Sequence, residues 1–128
     1  MRKCRNPYND ASQFLTFLTI LYHNIRHPVL ICSDRQMIAA KGVFVSNTTP
    51  FPEALTDHIK TGTEVTSGQI SDIYLAPHLK EPIAGIFPVN TEKHLALIVL
   101  SKASLTETES VCARMVATAI NHVLLKGV

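Results

Sequence analysis

Residues 82–123 constrain the fold more than any other part of the chain. They read as a strand (Ile83-Ala-Gly-Ile-Phe-Pro-Val89), a polar turn (Asn90-Thr-Glu-Lys93), a second strand (Leu95-Ala-Leu-Ile-Val-Leu100) and a long amphipathic helix. A hairpin that feeds a terminal helix folds that helix back over the sheet, because both elements carry an apolar face that needs cover. Pro88 removes a ladder donor, so its position belongs at an edge or a bulge. Ser104-Leu-Thr-Glu107 fits a capping box at the helix start, Glu109 adds a second acid to the first turn, and Lys126 with Gly127 closes the helix. Val111, Cys112, Met115, Val116, Ala119, Ile120, Val123 and Leu124 cover more than one face of it. One face suffices for the sheet. The surplus needs a second partner, either another helix of the chain or a copy of itself.

The first half predicts matching elements. Asp10-Ala-Ser-Gln13 fits a capping box, and Phe14, Phe17, Leu18, Leu21 and Ile25 then recur at helical spacing until Pro28 stops the run. Val29-Leu-Ile-Cys32 reads as a buried strand that turns at Ser33-Asp-Arg35 and returns over residues 36–40, with Val43-Phe-Val45 as an extension. A helix over residues 52–60 starts after two prolines and ends at Gly62. Residues 63–66 form a weak strand or connector, and residues 70–75 a further strand. The outcome is an α+β domain over residues 10–126 behind a flexible basic tail, 1–9.

At 128 residues the chain is one domain, and 46% apolar with 17% charged residues is the balance of a folded globular protein. No apolar run approaches the ~18 residues of a membrane span, and no secretory signal opens the chain, which points to the cytoplasm. Three scattered cysteines suggest neither a disulfide framework nor a zinc site. A net charge of +2, with one cluster at Arg2, Lys3 and Arg5, does not point to nucleic acid.

The wording of two segments is familiar. His27-Pro-Val-Leu-Ile-Cys-Ser-Asp-Arg-Gln-Met-Ile-Ala-Ala40 resembles the first hairpin of a GAF domain of the kind found in sporulation transcription regulators. Pro82-Ile-Ala-Gly-Ile-Phe87 and Leu97-Ile-Val-Leu-Ser-Lys102 are similar to its closing segment. The likeness covers about residues 12–125. It implies a six-stranded type of antiparallel sheet flanked by the N-terminal and C-terminal helices, in a domain that senses a small molecule or mediates association. Such regulators carry a swapped-hairpin DNA-binding domain that the residues before Asp10 cannot form, so DNA binding is not carried over. The loop at residues 47–51 also differs from the family's Ser/Lys-rich equivalent.

Catalytic candidates each have a plainer reading. Cys32 could be activated by Arg35, yet a cysteine that closes an apolar strand is more often a small buried hydrophobe. Cys112 reads as core or interface, and Cys4 lies in the tail. His23 and His27 are four apart, a spacing that fits a metal pair less well than two imidazoles at a helix C-terminus. His122 reads as solvent-facing, and Glu53 with Asp57 as a solvated helix face. No phosphate-binding glycine loop is present. The reading is therefore of a non-enzyme with no cofactor or metal.

GAF geometry implies a pocket between the sheet and the middle loops, lined by Phe44, Phe51, Ile70, Tyr74 and Phe87, with Ser33, Arg35, Thr48 and Asp72 as its polar groups. The plainer reading is that the aromatics fill the core. Phe14, Phe17, Leu21, Val116, Ile120 and Val123 are the expected homodimer interface. Taken together, these features describe a regulatory, sensor-type domain in transcriptional control that binds a small ligand or partner and dimerises through its terminal helices. The alternatives are a ligand-free dimerisation module and, more weakly, a cysteine-dependent redox enzyme of GAF fold.

Overall fold

The structure is a computed structural model that describes residues 7–66 and 73–126. In chain order the elements are α1 (Pro7–Ile25), β1 (Val29–Ser33), β2 (Met37–Lys41), α2 (Glu53–Thr61), β3 (Val65–Thr66), β4 (Ile83–Asn90), β5 (Leu95–Leu100) and α3 (Glu107–Lys126). The α+β expectation holds. The sheet has five strands among the described residues, all paired antiparallel in the order β2-β1-β5-β4-β3. The expected strand at residues 70–75 is not seen where it is described, over 73–75, and its first part lies outside the described residues.

β5 explains why its sequence is apolar without alternation. It lies between β1 and β4, with Leu30↔Ile98 on one side and Ile98↔Ile86 on the other. Leu95, Leu97 and Val99 point to one face, and Ala96, Ile98 and Leu100 to the other. All six are buried, because helices or loops cover both faces of this strand. The first face packs against α1 through Phe14, Leu18, Leu21 and Ile25, and against α3 through Ala113, Ala117, Ile120 and Leu124. The second is covered by Leu55 and Ile59 of α2 together with Val45 and Leu75 from the loops. Full burial of each large aliphatic side chain contributes roughly 1.5–3 kcal/mol, so this double-sided strand is the centre of the fold.

Element ends differ from the sequence reading in instructive ways. α1 begins at Pro7, so Asp10 stands inside the helix and does not cap it. The helix also takes in three residues expected in the tail. It stops at Ile25 because Arg26 turns left-handed, with φ 63°, and its N–H still reaches the Tyr22 carbonyl at 2.8 Å. Residues 43–45 leave the sheet after Lys41 and do not extend β2. α2 ends as expected at Gly62, whose φ of 69° suits the left-handed cap and whose N–H bonds the His58 and Ile59 carbonyls. Pro88 faces Ala96, and the register shifts between it and Asn90, so the proline stands at an irregularity of the ladder; β3 pairs only with Gly85 and Ile86.

The capping box of α3 is two residues later than expected. The Thr106 hydroxyl accepts from the Glu109 N–H at 3.1 Å, and Glu109 Oε1 accepts from the Thr106 N–H at 2.8 Å. Glu109 Oε2 also meets His27 Nε2 at 2.9 Å. Burial pushes the Glu109 carboxyl up, but the bonds from Thr106 and His27 outweigh it and hold the group below its ordinary range. One carboxylate thus ties the start of α3 to the α1–β1 junction. Among the described residues no helix is long and apolar enough to cross a membrane.

Candidate functional site

Two concave apolar surfaces flank the sheet, one on each side. The first is a hollow of about 490 Å³ among the loops on the α2 side, lined by Thr49, Pro50, Phe51, Pro52, Tyr74, Leu75, Ala76 and Pro77. Prolines on both walls fix the backbone there, because each locks φ and the residue before it stays extended. The adjoining loops are pinned together where His78 Nε2 donates to the Phe44 carbonyl at 3.0 Å. The polar side chains at the hollow are the Thr49 hydroxyl and the Tyr74 phenol, and no charged side chain is among the described residues that line it.

The expected ligand-binding residues divide. Phe51 and Tyr74 line this hollow together. Phe44 stands out into solvent, 83% exposed, beside it. Thr48 does not line it; its hydroxyl bonds the Ser46 hydroxyl at 2.8 Å, and Thr49 takes the lining position. Ser33 and Arg35 are not brought to it either. The Ser33 hydroxyl accepts the N–H groups of Arg35 and Gln36, both at 3.1 Å, and so builds the β1–β2 turn. Phe87 is fully buried on the opposite face of the sheet, among α1 and α3, where it is core. Ile70 and Asp72 lie outside the described residues. The sheet face beneath the loops is filled by Val45, Leu55, Ile59 and Leu75, so the hollow is a feature of the loops and not a cavity over the strands.

The second surface is a groove of about 630 Å³ on the outer side of the helical layer. Phe17 contributes from α1, and Val111, Arg114, Met115, Thr118, Ala119, His122 and Val123 from α3. Val111 is 38% and Met115 65% exposed. Arg114 at its margin is a paired charge. Its Nε and Nη2 donate to the two oxygens of Glu64, each at 2.8 Å. The hydrogen bond from Arg114 holds the Glu64 carboxyl below its ordinary range.

The expected dimer residues also divide. Phe14, Leu21 and Ile120 are buried against the sheet and have no surface to offer a partner. Val116 is half-buried against the same core. Phe17 and Val123 do line the groove. Sequence reasoning missed Val111, Met115 and Ala119 as surface residues, although their four-residue spacing marks one row along the helix.

Cys32 is fully buried, and burial pushes its thiol well above the ordinary range, so it holds its proton. No group of three or more His, Cys, Asp or Glu side chains is placed to hold a metal among the described residues. His27 bonds Glu109, while His23 meets the Tyr22 ring edge-on at a centroid distance of 6.1 Å. Glu53, Asp57 and His122 are exposed. No family model matches the chain, and no curated protein matches it.

Proposed function

We propose that this chain is a GAF-like regulatory domain that acts by association, pairing with a second copy through the outer face of α1 and α3. The observation that carries this reading is the exposed row of Val111 and Met115 beside Phe17 and Val123. The opposite stripe of α3 already covers the sheet, so Val111 and Met115 of the outer stripe are apolar surface, while Phe17 beside them is partly buried against the core. Transcriptional control as the setting rests on the likeness of the two hairpins to those of sporulation regulators. Sedimentation velocity over a micromolar to sub-millimolar series should show a monomer giving way to a dimer. Met115→Asp should hold the chain as a folded monomer across that range. A wild type that stays monomeric throughout would sink the proposal.

The loop hollow supports a second reading, capture of a small uncharged molecule between Phe51 and Tyr74. Two aromatic residues, two hydroxyl-bearing residues and no charged side chain in the lining suit an apolar or aromatic ligand better than an anion. Indole is a suitable probe. It should shift the Tyr74 ring resonances in the wild type and bind at least about tenfold more weakly to Tyr74→Ala. Equal binding by both proteins would remove the hollow from the functional account.

A further inference from the structure

We draw no further inference here: the strongest candidate, the apolar groove on the outer side of the helical layer around Val111 and Met115, belongs to the surface already described, and nothing further in the structure shows what covers it.

Discussion

Gly85→Val should lower stability by about 3 kcal/mol, which corresponds to a fall of roughly 10 °C in the unfolding midpoint. Gly85 sits in β4 opposite Val99, on the face that α1 and α3 cover. A Cβ there would stand 2.7 Å from Cε1 and 3.1 Å from Cζ of Phe87, and 3.0 Å from Cδ1 of Leu105. The two neighbours differ in their freedom to yield. Leu105 is half-buried in the loop before α3, and its methyl can swing away. The Phe87 ring is fully buried between the sheet and two helices, so it can move only by forcing them apart. Valine adds two further methyl groups at the same spot. Urea unfolding should show a lower midpoint with an unchanged slope, and Phe87→Leu should recover part of the loss by freeing ring volume. A Gly85→Val protein as stable as the parent would mean that the ring has another place to go.

The same contact places Phe87 in the core, away from the pocket position that GAF geometry implies for it. Strand residues alternate between faces, but the register slips between Ile83 and Gly85, with one residue more on β4 than on β5. That bulge leaves Ile83 and Ile86 on the α2 face and turns Phe87 to the other. The hairpin was legible from its two apolar runs; the bulge that decides which way each residue points was not. The start of α3 failed for a related reason. Ser104 with Glu107 and Thr106 with Glu109 are both Ser/Thr-x-x-Glu frames, and local rules do not choose between them. His27 meets Glu109 from 82 residues away, and a contact so distant leaves no local trace. By contrast α2 and its end were legible, because Gly62 satisfies a purely local need for a left-handed residue.

The candidate surfaces were legible in kind and only partly in membership. Two prolines ahead of Glu53 suit a helix start, and α2 begins there, while Phe51 and Tyr74 line one hollow. What brings Pro77 and Ala76 to the same hollow is packing between loops far apart in sequence. For α3, the wide apolar girth called for cover beyond the sheet, and α1 supplies part of it. The stripe nearest the sheet is Ala113, Ala117, Ile120 and Leu124, because small residues let the helix approach closely. Bulky Val111 and Met115 are left outside.

That division of α3 makes a sharp contrast between two aspartates. Ile120→Asp should abolish the folded state, whereas Met115→Asp should change monomer stability by no more than about 0.5 kcal/mol. Ile120 has no exposed surface and packs among Leu124, Ala117 and the sheet. Losing its side chain costs about 3 kcal/mol, and a carboxylate in its place must be dehydrated or take up a proton. Together these approach the whole stability of a domain of this size, about 5–15 kcal/mol. Circular dichroism at neutral pH should show lost helix and no cooperative transition. The pH dependence has a definite sign. Burial raises the folded pKa of the new carboxyl above its unfolded value, so the penalty is full at pH above that folded pKa. It shrinks as pH falls, and is least below the unfolded value near 3.9, where both states carry the proton. Acid should therefore restore part of the helix signal, relative to the wild type at the same pH. A well-folded Ile120→Asp monomer at neutral pH would show that the stripe assigned to the sheet is the one that meets a partner.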